Sequence, residues 1–248
     1  YAKTGIETVN ITEDIQFWGE WTALTYTVTY DANGGTVSPA SKTVTYDSTY
    51  GDLPNPTRTG YTFTGWFTEE KGGSEIISST IVQIVETQTL YAQWTIDVFT
   101  ITYTLNGGTV NPSNPTSYTV ETETFTLNNP TKSGYEFIGW SGTGISGTST
   151  EVTIEKGSTG NRSYTANWEL VYYTIEYALG DGTVVKENKS TYSVEDESFK
   201  LNNPTMLGYT FQGWMGTGIN GVSKNVVITK GSTGNRAYTA LWWIDVVI

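Results

Sequence analysis

The chain has 248 residues, 25 acids against 13 bases, a net charge of −12, and neither cysteine nor histidine. That composition excludes disulfide staples, thiolate metal sites and Ser-His or Cys-His catalysis within this segment. Its only arginines, Arg58, Arg162 and Arg236, make no cationic stripe for nucleic acid or acidic headgroups, and no apolar run is long enough to span a bilayer.

Residues 9–21 lie over residues 82–94 with a common Trp at the end, so residues 1–22 read as the C-terminal tail of a preceding repeat. Repeat 1, residues 23–95, opens on an aromatic and threonine alternation at 26–30, the period-two pattern of a half-buried strand. Asn33-Gly34 follows, a pair suited to the centre of a two-residue hairpin because both residues reach positive φ. Further alternating runs lie at 42–46, 61–67 and 90–94, and residues 78–85 are the only stretch that admits a short helix. Repeat 2, residues 96–169, and repeat 3, residues 170–243, run the same course. Their first strands are predicted at 99–103 and 173–177, turns at Asn106-Gly107 and Gly180-Asp181, middle strands at 150–156 and 225–230, and last strands at 164–168 and 238–242. Residues 244–248 match the start of a following strand or repeat.

Trp66, Trp140 and Trp214 recur at a spacing of 74 (140−66 and 214−140), as do Trp94, Trp168 and Trp242. A period of this size marks an array of one module. The linkers after Trp94 and Trp168 are short, so the expected fold class is mainly β, with four to five strands per module, little or no helix and an extended, rod-like arrangement.

Three separated strings carry a resemblance. Tyr-x-Val-x-Tyr-Asp-Ala-Asn-Gly-Gly-Thr at 26–36, Pro-Thr-Arg-Thr-Gly-Tyr-Thr-Phe-Thr-Gly-Trp at 56–66 and Leu-Tyr-Ala-Gln-Trp at 90–94 together resemble the Listeria-Bacteroides repeat, also known as the internalin B-type B repeat. The resemblance implies a small β-grasp-like sheet, repeated in bacterial surface or secreted proteins, with no catalytic residues to carry over. Repeats 2 and 3 depart from it in the middle, where residues 67–73 give way to Ser141-Gly-Thr-Gly-Ile145 and Met215-Gly-Thr-Gly-Ile219, and where Lys-Gly-Ser-Thr-Gly-Asn-Arg is added.

An indole face can stack on a sugar ring, but residues present in every copy are those each copy needs to close its core. Trp66, Trp94, Trp140, Trp168, Trp214 and Trp242 are therefore read as structural core. Trp18 and Trp243 break the pattern and are candidates for ligand or inter-module contact. Arg162 and Arg236, in identical Gly-Ser-Thr-Gly-Asn-Arg strings, offer a fork for a carboxylate ligand, or alternatively pair with a local acid or pack over an aromatic face. Glu195-Asp196-Glu197 reads as a solvated edge or loop rather than paired catalytic carboxylates. No Asp-x-Asp-x-Asp-Gly loop is present to enclose calcium. Lys42, Lys132 and Lys186 do not share the equivalent apolar position that an isopeptide cross-link would need.

These residues point to a non-enzymatic structural or stalk repeat region of a bacterial cell-surface or secreted protein, without cofactor, that spaces or presents a functional domain. The alternative is an adhesin or carbohydrate-binding array using exposed aromatics. Expected partners are neighbouring repeats of the same chain and a host or bacterial surface glycan or protein, with no nucleic acid and no direct membrane insertion by this segment.

Overall fold

The structure is a computed structural model whose described residues are 19–245. Trp18, most of the expected tail at 1–22 and residues 246–248 lie outside them. The chain divides into two compact units, Tyr1–Asp97 and Val98–Ile248, the second carrying repeats 2 and 3. Every described regular element is a strand; none is a helix.

In the first unit, β1 (Thr25–Asp31), β2 (Ser41–Thr45), β3 (Tyr61–Phe67), β4 (Glu75–Ile76) and β5 (Gln88–Ile96) form one sheet in the order β2-β1-β5-β3-β4. The first and last long strands pair in parallel at its centre, from Val28 opposite Gln88 to Asp31 opposite Tyr91, and the other pairs are antiparallel. A parallel central pair cannot be joined by a hairpin. Of the 42 residues between Thr45 and Gln88 (88−45−1), β3 and β4 return to the same sheet, and the crossing segment on either side of them covers one face. Val28 and Tyr30 of β1, Leu90 and Ala92 of β5 and Trp66 of β3 point into that face and meet Tyr50 and Val82 from the crossing segment.

The Asn-Gly turn forms, but within the longer loop that joins the antiparallel pair β1 and β2 rather than as a two-residue hairpin. Gly35 N donates to the Ala32 carbonyl at 3.0 Å, with Asn33 and Gly34 at φ 46° and 86°. The chain then pairs Thr36 with Thr57, and β2 begins only at Ser41. Trp94 Nε1 donates to the same Ala32 carbonyl at 3.0 Å. Its ring lies across Gly35, where an added Cβ would sit 2.8 Å from Trp94 Cζ2. The turn is thus shaped around an indole, and the second glycine of Asn-Gly-Gly is needed for space rather than for its φ.

Residues 78–85, which admitted a short helix, instead carry a turn closed by Thr80 N to Ile77 O at 3.0 Å and a bridge between Ile81 and Thr49. Val82 is fully buried and its N–H donates to Ser48 O at 2.7 Å. A run rich in β-branched residues without a 3.6-residue stripe gains more from that bridge than from a helical turn.

In the second unit, repeat 2 contains β6 (Phe99–Thr104), β7 (Ser117–Tyr118), β8 (Phe125–Thr126), β9 (Tyr135–Gly142), β10 (Thr153–Ile154) and β11 (Arg162–Leu170). The main sheet runs β7-β6-β11-β9, again with a parallel pair, β6 with β11, at its centre, and β8 pairs with β10 as a separate ribbon. Repeat 3 repeats this with β12 (Tyr173–Ala178), β13 (Thr191–Tyr192), β14 (Phe199–Lys200), β15 (Tyr209–Gly216), β16 (Val227–Ile228) and β17 (Arg236–Ile244). β10 and β16 fall inside the middle strands expected at 150–156 and 225–230, whereas their two-residue partners β8 and β14 are too short to show alternation and add to the expected strands. Leu127, Val152 and Ile154 from the ribbon and its flanks pack with Ile101, Trp140 and Ala166 of the sheet. The same contacts recur 74 residues on, at Leu201, Val226, Ile228, Ile175, Trp214 and Ala240.

Each repeat also carries a β-bulge where its Gly-Trp string lies. In β3 the register shifts between Phe63 and Gly65, and Gly65 takes φ 156°. Strict alternation would put Phe63 and Trp66, three residues apart, on opposite faces. The extra residue brings both to the core face, where their rings meet at 5.6 Å with an edge contact. Phe137 with Trp140 and Phe211 with Trp214 repeat the contact at 5.5 Å.

Candidate functional site

The tryptophans fall into three classes. Trp66, Trp140 and Trp214 are sealed in the cores, and their Nε1 groups donate to Pro54 O, Asn129 Oδ1 and Asn203 Oδ1 at 2.8, 3.1 and 3.1 Å. Trp94, Trp168 and Trp242 are half-buried, packed against the core rim and tied to the Ala32, Leu105 and Leu179 carbonyls. None of these six presents a free ring face of the kind a sugar platform needs. Trp243 is 66% exposed and stands opposite Thr210 on β17, and Trp21, which the sequence offered only as the tail's counterpart of Trp94, is 82% exposed.

Three related tyrosines lie beneath the sheets. Tyr103 and Tyr177 donate to Pro115 O and Lys189 O at 2.8 and 2.9 Å. Burial first, then the neighbouring Tyr164 or Tyr238 phenol, pushes each up to about 12. They are neutral donors at any physiological pH. Tyr30 is raised by burial too, and its hydroxyl has no hydrogen-bond partner among the described residues.

A junction joins repeats 2 and 3 within the second unit. Gly134 is buried, at φ 78°, and a Cβ there would overlap Val194 of repeat 3. Beside it the Tyr135 hydroxyl donates to the Glu195 carboxylate, and this hydrogen bond is the main reason the tyrosine's pKa is raised. Val171 N, in the linker, closes onto Gly134 O at 3.0 Å. Lys132 lies over the Tyr135 ring at 3.7 Å and steadies that tyrosine.

The acidic run at 195–197 lies in a turn, the loop alternative of the sequence reading, and its acids have partners. Lys189 bonds Asp196 at 2.6 Å and holds its carboxyl below the ordinary range, and Lys230 pairs with Glu197 at 2.6 Å. The Glu197 pair is exposed, so solvent screens it. The sequence signal for the junction was the recurring Gly-Tyr after each Asn-Pro-Thr string, which reads as strand entry until Val194 and Glu195 are seen against it.

Arg162 and Arg236 open β11 and β17 at equivalent places beside equivalent clefts. Arg162 Nε donates to Tyr118 Oη at 2.9 Å, and Tyr118 donates onward to Gly160 O at 2.6 Å. Arg236 does the same with Tyr192 and Gly234, at 2.8 and 2.6 Å, and its Nη1 lies 3.5 Å from Tyr238 Oη. Each guanidinium sits 5.5 Å from the centre of its tyrosine ring. Among the described residues neither arginine has a carboxylate within ion-pair distance. The clefts measure about 350 Å³ in repeat 2 and about 530 Å³ in repeat 3. In repeat 1 Gln88 holds the arginine's place in the parallel register and accepts from Tyr50.

Among the described residues no group of three His, Cys, Asp or Glu side chains is gathered to hold a metal ion, and no helix is long and apolar enough to cross a membrane. Lys42, one of the lysines weighed for a cross-link, spends its ammonium on the Tyr50 and Asp52 carbonyls at 2.7 and 2.9 Å.

Known proteins share this pattern. Internalin H of Listeria monocytogenes serovar 1/2a is 33% identical over 136 residues, 55% of this chain and 24% of its own length. Two proteins of Evansella cellulosilytica, named "Putative Gly-rich membrane protein" and "Putative membrane protein", are 26% and 28% identical over 84% and 79% of this chain. The chain spans less than a third of each of the three, at 23%, 29% and 24% of their lengths. The model of the Listeria-Bacteroides repeat domain matches three times, at residues 26–93, 99–166 and 173–236, each match falling on one of the three cores, and the chain belongs to that family.

Proposed function

We propose that this segment is a non-enzymatic spacer in a bacterial cell-surface or secreted protein, holding a functional domain at a distance from the envelope. The junction carries the reading: Val194 seated at Gly134, with Tyr135 bonded to Glu195, ties one repeat to the next through side chains rather than through a flexible linker alone. Similarity to internalin H and to two proteins named as membrane proteins supports a surface location. Three separate cores supply stability without enclosing a catalytic constellation. The test is to replace residues 98–245 of the parent protein by a Gly/Ser linker of equal residue count and measure antibody access to the distal domain on whole cells. The spacer reading expects access to fall, because a flexible coil spans far less than its contour length; unchanged access would contradict it. A second reading, an adhesin or glycan-binding array, is favoured by the exposed Trp243 and by the paired arginine clefts.

A further inference from the structure

The clefts beside Arg162 and Arg236 share a backbone and differ in charge. Repeat 2 lines its cleft with Glu151, whereas the equivalent residue in repeat 3 is Asn225 (151 + 74), and no acid lines that cleft at all. Asn225 Oδ1 accepts from Lys200 Nζ at 2.5 Å, which brings an ammonium to the rim. The residue equivalent to Lys200 in repeat 2 is Thr126, occupied with Thr153 at 2.9 Å. Among the described residues, a chain of net charge −12 thus builds one cleft whose lining charge is purely positive and a twin whose lining carries an acid as well as the arginine.

We propose that the cleft of repeat 3 binds the carboxylate of an acidic saccharide through Arg236, and that Glu151 prevents the cleft of repeat 2 from doing the same. A guanidinium has five N–H donors. Arg236 directs Nε and Nη1 at the neutral phenols of Tyr192 and Tyr238, which leaves its charge uncompensated and the other donors for a ligand. Nη1 lies 3.8 Å from the Cβ position of Gly218 on the cleft rim, so the head group reaches the opening. A volume of about 530 Å³ suits one or two sugar rings, within the roughly 300–1,000 Å³ usual for small-ligand sites. Thr217, Ser223, Asn220 and Asn225 present hydroxyls and amides, and Val222 and Val227, both about half exposed, offer apolar contact to a ring face.

An extended peptide fits less well. Its usual mode is to add a strand to an open edge, but beside the cleft Trp214 and Ser223 already exchange both backbone hydrogen bonds, at 2.8 and 3.0 Å. The inference is independent of the spacer reading, which rests on the junction.

The test is a titration of the whole ¹⁵N-labelled chain with digalacturonate, its neutral dimethyl ester and an N-acetylated tripeptide bearing a free C-terminal carboxylate. Digalacturonate is expected to shift Gly218, Ile219 and Arg236 saturably, with the ester weaker by about tenfold or more. Asn225→Glu should abolish the shifts. Glu151→Asn should create a matching set at Gly144, Ile145 and Arg162, and each substitution installs the residue its sister repeat already folds with. No saturable shift, binding unaffected by Asn225→Glu, or a preference for the tripeptide would overturn the assignment.

Discussion

Replacing Trp140 by alanine is expected to cost about 3–5 kcal/mol, the range for truncating a buried Trp, and to unfold repeat 2 selectively. The indole is fully buried, packs edge-on against Phe137 at 5.5 Å and donates to Asn129 Oδ1 at 3.1 Å. The truncation therefore opens a cavity and removes the hydrogen bond to the exposed Asn129. A repeat of this size holds only a few kcal/mol of net stability, about 0.05–0.15 kcal/mol per residue. Trp243→Ala, on an exposed ring, should change stability by no more than about 0.5 kcal/mol. Urea unfolding followed by resolved amide signals of each repeat separates the two. Equal effects from both substitutions would contradict the division into core and surface tryptophans.

The second large effect is at Gly142. It sits at φ 136°, where a side chain is strained, and a Cβ would overlap the Ser163 carbonyl of the neighbouring strand. That carbonyl also accepts from Thr143 N at 3.0 Å, at the start of the turn that makes the rim of the cleft. Gly142→Ala should cost about 3 kcal/mol or more, combining roughly 1–3 kcal/mol of strain with a similar loss from displaced strand pairing. Gly144→Ala, at φ 76° with open space around the added carbon, should cost only the conformational penalty of about 1–2 kcal/mol. Thermal unfolding of the two variants checks the contrast, and a Gly142 variant as stable as the Gly144 one would show that the strands do not approach as closely as described.

Periodicity made the repeats, their strands and the family legible, because each module must rebuild the same core and so repeats its core residues. It misled at the bulge. Tyr-x-Phe-x-Gly-Trp reads as one alternating run, yet the odd spacing from Phe137 to Trp140 and the glycine between them already required an extra residue to bring both rings to one face. Asn-Gly correctly marked a turn between the antiparallel β1 and β2, but the loop is longer than two residues, and the turn's carbonyl also accepts from an indole 62 residues downstream (94−32). Such long-range partners have no local signature. The junction was hidden for the same reason: Glu195 bonds a tyrosine 60 residues earlier, and nothing in the string Glu-Asp-Glu distinguishes it from a solvated acid. The arginine strings pointed to the right places, but the contrast between Glu151 and Asn225 gained meaning only when both were seen lining equivalent clefts.

The coupling of repeats 2 and 3 is tested most directly by the distance between nitroxides at Thr150→Cys and Lys224→Cys, exposed and equivalent positions in a chain without native cysteine. Double electron–electron resonance should give a single narrow distribution that broadens when Val194 and Glu195 are both changed to alanine. A broad distribution in the otherwise native chain, unaltered by those substitutions, would mean that the junction does not hold the repeats and that the spacer account fails.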